Sequence, residues 1–288
     1  MSEAPRLRAP HGACDCHMHV YDARFPASPA WPVAPPQAPA SAYRDVQALL
    51  GLTRAVVVQP NAYVDDLHCL EDAMATLGPD VRGVALVRPD VREAEMMRLT
   101  QAGMRGSRCY LQAGGTVTFE EMEVVAARIA PHGWHVDVQV DGGDLPLCAA
   151  RLAALPCDVV IDHVGKFMTP VPPDHAAVRA LQRLLDGGHA SVKLSAAYET
   201  SKIGPPRYED VGAIARTLAA SHPERCLWGS NWPHGGRADA PSNAALLDLL
   251  LDWVDDDATR RRILVDNPAA LYGFPPTRGD AGTPSTAQ

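Results

Sequence analysis

The stretch Ala13-Cys14-Asp15-Cys16-His17-Met18-His19-Val20 is short and apolar around two imidazoles, and it reads as the first strand of a buried sheet. Side chains alternate across a strand, so Asp15, His17 and His19 are expected on one face and Cys14, Cys16, Met18 and Val20 on the other. The polar row then looks into a site while the apolar row packs outward. By that parity Cys14 and Cys16 are core residues rather than metal ligands. With 11 histidines in 288 residues, about 0.4 His-x-His pairs arise by chance, so the pair draws its meaning from the rest of the chain.

Downstream of this strand, residues 26–39 are rich in Pro and Ala and can sustain neither a helix nor a central strand, which predicts a long functional loop. Apolar strands are then predicted at 55–59, 83–87, 106–111, 135–140, 159–162, 191–194 and 226–229. Between and after them, helical spacing falls at 65–77, 93–102, 145–155, 176–185, 211–221, 243–254 and 258–265. A further helix is opened by Thr118, with Glu121 in capping-box position. Eight short apolar strands separated by amphipathic helices imply a parallel sheet covered on both sides, and eight repeats favour closure. The fold class is α/β: a single-domain TIM (β/α)8 barrel over residues 11–274. Residues 1–10 form a leading tail, and residues 275–288, rich in Pro, Gly, Thr and Ala, a disordered one. The strip Leu246, Leu247, Leu249, Leu250 and Leu251 is expected to pack on the barrel.

Composition narrows the partners. A formal charge of −8 without any concentrated basic surface argues against nucleic acid. No apolar run approaches the ~20 residues of a membrane span. Seven cysteines without framework spacing, and an opening segment lacking a signal-peptide pattern, place the expected compartment in the cytoplasm. A small molecule is the expected partner, and the oligomeric state is left open.

In such a barrel the chemistry sits at the carboxyl ends of the strands. There the sequence collects His17 and His19 (first strand), Arg105 and Arg108 (fourth), Gln139 (fifth), His163 and Lys166 (sixth), Lys193 and Tyr198 (seventh), and Asn231 and His234 (eighth). Arg105 and Arg108 lie three apart, so a regular strand turns only one of them inward. Lys193 alternates with Val192 and Leu194 and points into the barrel, where it needs either a structural carboxylate or an anionic substrate as partner. The chain has no Gly-x-Ser-x-Gly elbow, phosphate loop or dinucleotide fingerprint, which removes covalent serine hydrolysis and nucleotide binding from consideration.

Five motifs taken together resemble the amidohydrolase superfamily: Asp15-Cys16-His17-Met18-His19, Gly103-Met104-Arg105-Gly106-Ser107-Arg108, Gly133-Trp134-His135-Val136, Val160-Ile161-Asp162-His163-Val164-Gly165-Lys166 and Trp228-Gly229-Ser230-Asn231-Trp232-Pro233-His234. The resemblance is nearest to the lactonase branch typified by 2-pyrone-4,6-dicarboxylate hydrolase. It runs from about His11 to Gly273 and ends on Asp266-Asn267-Pro268-Ala269-Ala270-Leu271-Tyr272-Gly273, similar to the family's closing helix. It implies a distorted barrel that opens lactones or related carbonyl substrates with an activated water. His17, His19 and His163 would polarise the carbonyl, and the residue at position 231 would serve the water. It further implies that no cofactor is required, as in the pyrone lactonase; other members hold zinc, and a divalent metal here would fall to His17, His19 and His163.

The chain departs from the family pattern at the position that matters most. Asn231 stands where the family has aspartate, and a carboxamide can orient water but cannot take its proton. Three consequences stay open: His163 or His234 acts as base, the reaction needs no acid at this position, or the protein is a weak or inactive relative. Gln139 and Glu199 stand where the dicarboxylate lactonase has a tyrosine and an arginine. A second substrate carboxylate would meet repulsion from Glu199. The substrate expected is a mono-anionic or polyhydroxylated lactone held by Arg105 or Arg108 with Lys166, Lys193, Gln139, Tyr198 and His234, while Asn231 positions the water. Two other readings use the same residues: a metal-dependent decarboxylase of an aromatic or dienoic acid, and a non-catalytic small-molecule binder that has lost its base.

Overall fold

The computed structural model describes residues 4–276 apart from positions 30, 113, 116 and 238. Eight parallel strands follow one another in chain order: β1 (Cys14–Met18), β2 (Arg54–Val58), β3 (Val81–Ala85), β4 (Met104–Tyr110), β5 (His135–Gln139), β6 (Val159–Ile161), β7 (Ala190–Leu194) and β8 (Cys226–Trp228). Each is followed by a helix: α1 (Ala40–Leu50), α2 (His68–Leu77), α3 (Glu93–Gln101), α4 (Phe119–Ile129), α5 (Leu145–Ala153), α6 (Ala176–Asp186), α7 (Glu209–Ser221) and α8 (Asn243–Trp253). A short α9 (Asp257–Arg261), a π-helical turn and α10 (Asn267–Tyr272) complete the described chain. This is the single-domain TIM barrel that the alternation predicts. Among the described residues no helix is long and apolar enough to cross a membrane. The expected disorder at the C-terminus falls on residues that, from 277 onward, lie outside those described.

Local chemistry explains most of the elements. α4 begins where Thr118 Oγ1 accepts from the Glu121 amide at 3.1 Å and Glu121 Oε2 accepts from the Thr118 amide at 2.7 Å, a reciprocal cap that satisfies two otherwise orphaned donors. On α8, Leu246, Leu247, Leu249 and Leu250 are buried against the barrel, as expected of the leucine strip. α1 is an element the sequence reading lacks. It starts after Pro39 with no side-chain cap, so it offers none of the usual opening signals.

The first strand corrects the parity expected of it. The β1–β2 register shifts between Asp15 and Met18, and this bulge resets the alternation halfway along the strand. Cys14 and Cys16 therefore face into the barrel, in a plug with Val56, Val58, Val84, Val160 and Leu227 that Tyr272 and Phe274 cover from α10 and just beyond it. They remain core residues, but on the inner side. Asp15 turns outward instead, accepting from the Tyr43 hydroxyl of α1 at 3.0 Å and from the Ser230 amide at 2.9 Å. Beyond the bulge the histidines face inward above the plug.

The distortion of the barrel lies between β8 and β1, which share no strand ladder. Residues just past β8 close the gap: the Asn231 amide donates to the His17 carbonyl and the His19 amide to the Trp232 carbonyl, both at 2.8 Å. Gly229 permits this approach, because a Cβ there would lie 2.7 Å from the Cβ of His17. The seam of the barrel thus runs through the first histidine pair and Asn231.

Candidate active site

Above the apolar plug the barrel interior becomes charged. Lys193, on β7, is fully buried and pairs with Asp137 of β5 and, at 3.3 Å, with Asp162 just after β6. Val192 and Leu194 pack outward on either side of it, as the alternation requires. Burial works against charge on Lys193, but Asp137 and Asp162 outweigh it and hold the ammonium above its ordinary value. Burial likewise opposes charge on Asp162, yet Lys193 and the neighbouring imidazoles keep its carboxyl well below the usual range. Lys193 does not reach the substrate cavity, so the expected grip on a substrate carboxylate passes to other residues. Its partners are structural.

Lys193 also donates to His17 Nδ1 at 2.9 Å. The tautomers follow from the partners. His19 Nδ1 faces the Val58 carbonyl at 2.8 Å and must carry a proton, which leaves its Nε2 as an acceptor. His17 Nε2 lies 3.3 Å away, and His17 Nδ1 is flanked by Lys193 Nζ and, at 3.2 Å, by Asp162 Oδ1. His17 lies sealed beneath His19 and His163, with ring centroids 4.9 and 4.8 Å from theirs. His163 Nδ1 is 2.9 Å from the Ser195 hydroxyl, leaving its Nε2 for a ligand. All three imidazoles are neutral: burial pushes His17 and His163 well below their ordinary value and His19 down to about 3.

A cavity of about 250 Å3 opens above this floor, bordered by His19, His163, Arg108, Gln139, Lys166, Glu199 and Asn231. Tyr21, Trp31, Asn61 and Tyr110 form further walls. Arg108 donates to the Gln59 carbonyl at 2.9 Å and to Gln139 Oε1 at 3.3 Å, while its buried Nε has no partner. Among the described residues no carboxylate pairs with it. Lys166 pairs with Glu199, and burial pushes its ammonium down to about 8.

Arg105 is the one predicted site residue placed at the opposite end. It is the second residue of β4, three positions or about 10 Å below Arg108 along the strand. There its guanidinium donates to the Thr100 and Met104 carbonyls at 3.0 and 2.7 Å.

Asn231 is held through both hydrogens of its amide nitrogen. Nδ2 donates to the Tyr198 hydroxyl at 2.8 Å and to Glu199 Oε1 at 2.9 Å; because a carboxylate only accepts, the nitrogen must lie on that side. Tyr198 in turn meets His234 Nδ1 at 3.0 Å, and His234 Nε2 meets Asn243 Oδ1 at 3.0 Å. Both nitrogens of His234 are thereby committed, and it does not border the cavity, so it positions Tyr198 and Asn231 rather than acting as base. His163, Lys166, Ala196, Asn231 and His234 all adopt positive φ between 50° and 63°, a backbone state that ordinary residues keep only where their surroundings enforce it. Sequence reasoning places Ser195 among the polar residues at the end of the seventh strand but assigns no role to Asp137 or Asp162. Asp137 could have been found, since it alternates with Gln139 on β5.

The family's zinc sites raise the question of a divalent cation. His17, Asp162 and His163 offer ligand atoms within 4.8 Å of one another, and His19 adjoins them. Their outer contacts bear on whether they could serve it. His19 turns Nδ1–H to the Val58 carbonyl, His163 turns Nδ1 to the Ser195 hydroxyl, and His17 Nδ1 lies 3.2 Å from Asp162 Oδ1 as well as beside Lys193, the kind of outer partners that metal-ligating histidines have. Asn231 adds no negative charge. His17, His19 and His163 would hold such a cation, with Asp162, whose buried oxygens make no hydrogen bond, beside them; it would supply Lewis-acid polarisation of a carbonyl.

Comparison with known proteins agrees with this geometry along nearly the whole chain. D-galactarolactone isomerase of Agrobacterium fabrum is 36% identical over 280 residues, covering 96% of each chain. 2-Pyrone-4,6-dicarboxylate hydrolase of Comamonas testosteroni is 32% identical over 93% of this chain and 92% of its own. An apo crystal structure from Agrobacterium tumefaciens superposes with a TM-score of 0.89 at 36% identity, over 95% of this chain and all of that one. The amidohydrolase profile matches residues 14–274, from the first inward cysteine to the phenylalanine that seals the barrel floor, and by that match the chain belongs to the amidohydrolase family.

Proposed function

We propose that the site carries out acyl transfer on a small, anionic, polyhydroxylated lactone, and that the attacking group is a hydroxyl of the substrate itself. One lactone ring is thereby exchanged for another. The observation that carries this reading is Asn231, locked by both amide hydrogens at the position where the family resemblance places the base that serves water. Losing a general base costs roughly 10²- to 10⁴-fold in rate. A tethered hydroxyl, by contrast, attacks with an effective molarity of about 10⁵–10⁸ M, more than enough to offset that loss. The relative named D-galactarolactone isomerase supports the same choice.

Each wall has a part in this reading. His163 presents Nε2–H to the carbonyl oxygen while Ser195 donates to its Nδ1. Arg108, with no paired carboxylate among the described residues, takes the substrate carboxylate, assisted by Lys166. Gln139, Asn61 and Tyr110 meet ring hydroxyls. The cavity is smaller than the roughly 300–1,000 Å3 of drug-sized ligand sites, which suits a single ring. None of these roles is assigned to a metal or other cofactor.

Hydrolysis of the same ring by water is the second reading, favoured by the 32% identity to a pyrone hydrolase. Incubation with the 1,4- and 1,5-lactones of galactaric acid, followed by carbon NMR and a pH indicator, separates the two. Ring exchange without acid release is expected. Acid release at the enzyme's rate would favour hydrolysis, and silence with every hydroxylated lactone would remove the lactone reading.

A further inference from the structure

We propose that Glu199 performs the proton transfer that Asn231 cannot, moving a proton from the attacking hydroxyl to the departing ring oxygen; this rests on the reading of the site as a lactone acyl-transfer centre. Among the described residues that border the cavity, Glu199 is the one carboxylate. It sits on the turn Ala197–Glu199 that follows β7, entered through Ala196 at φ 50°. Oε1 receives the Asn231 amide at 2.9 Å, and Oε2 pairs with Lys166. Each carboxylate oxygen keeps a lone pair beyond those contacts.

The pairing with Asn231 explains why a carboxamide stands there. An aspartate at position 231 would set two carboxylates about 3 Å apart, where they cannot both remain ionised. The site therefore has one negative charge in this corner, carried by the residue after β7 rather than the residue after β8. Asn231 fixes the carboxylate in place, and Lys166 balances it.

The step balances within the substrate. As the substrate hydroxyl oxygen bonds to the carbonyl carbon, its proton passes to Glu199 and the carbonyl electron pair moves onto oxygen, facing His163. Collapse of that intermediate breaks the original ring C–O bond. The departing oxygen takes the proton back from Glu199, and no proton is gained or lost overall.

Glu199→Gln keeps an acceptor for Asn231 but cannot take up a proton. With the galactaric acid lactones as probes, its kcat is expected to fall 10²- to 10⁴-fold with KM within about fivefold, and the acidic limb of the kcat–pH profile to vanish. The exchange variant Asn231→Asp/Glu199→Gln returns a carboxylate to the corner and is expected to recover at least tenfold over Glu199→Gln. Circular dichroism and thermal melts confirm that each variant is folded. A Glu199→Gln enzyme with kcat within threefold of wild type, or with an unchanged acidic limb, would overturn the proposal while leaving the lactone reading intact. A wild-type enzyme inactive on all the lactones would overturn the lactone reading and this proposal together.

Discussion

Lys193 joins three parts of the site at once: it pairs with Asp137 and with Asp162, and it donates to His17 Nδ1. Removing it leaves two carboxylates and an imidazole acceptor buried without their donor. Breaking a buried pair by deleting one partner costs about 3–5 kcal/mol, mainly because the surviving charge has no water to receive it. Lys193→Met is therefore expected to lower the unfolding free energy from urea titration by an amount in that range, and the urea midpoint with it. Lys193→Met/Asp137→Asn, which also removes one of the stranded carboxylates, should regain part of the loss. Equal midpoints for the single variant and the wild type would mean that the buried charges contribute nothing to stability. The same residue shows the reach of sequence reading at this scale. Alternation with Val192 and Leu194 gives its direction correctly, but its choice between structural and substrate carboxylates depends on β5 and the end of β6, which no local pattern brings beside it.

Among the elements, the seam between β8 and β1 does most to shape the site, and a single glycine makes it possible. A methyl group at position 229 would press within 2.7 Å of the His17 Cβ and 3.0 Å of its amide nitrogen, both held by surrounding structure. Gly229→Ala is expected to force the strands apart at the cost of about 1–3 kcal/mol. It should also pull apart the backbone bonds from Asn231 to His17 and from His19 to Trp232. Turnover should fall far more than the thermal midpoint, and a variant with full turnover would show that the seam does not set the site. Most elements are legible in the sequence, because period-2 and period-3.6 patterns reflect which faces are covered. α1 is not, since it opens on a proline without a cap; the β1 bulge is not, since a bulge breaks the very periodicity used to read a strand. Glu199 reads only as a missing cation, because its pairing with Asn231 arises from two turns 32 residues apart.

At the scale of the whole molecule, the barrel gathers buried neutral histidines from several different segments. His17 and His163 lie well below their ordinary value, His19 and His135 are pushed down to about 3, and His234 to about 4, burial being the first cause in every case. In the unfolded chain each takes up a proton near pH 6.5. Between that value and the depressed values of the folded state, the unfolded chain holds more protons, so stability falls as the medium is acidified. Asp137 works in the opposite sense: burial and Asp162 raise its carboxyl, so the folded protein takes up a proton there before the unfolded chain does, offsetting one histidine. Asp15, raised by burial, offsets a further part at lower pH. A net difference of about three protons corresponds to roughly 4 kcal/mol lost per pH unit, against a total stability of about 5–15 kcal/mol for a typical domain. The thermal midpoint should therefore hold steady from pH 8 to 7, begin to fall near pH 6.5, and reach ambient temperature near pH 5. Replacing His135, which lies away from the cavity against Tyr272, by Gln should shift that fall toward lower pH without altering turnover at pH 7.5. A midpoint unchanged down to pH 5 would mean that these imidazoles take up protons in the folded barrel as readily as in the open chain.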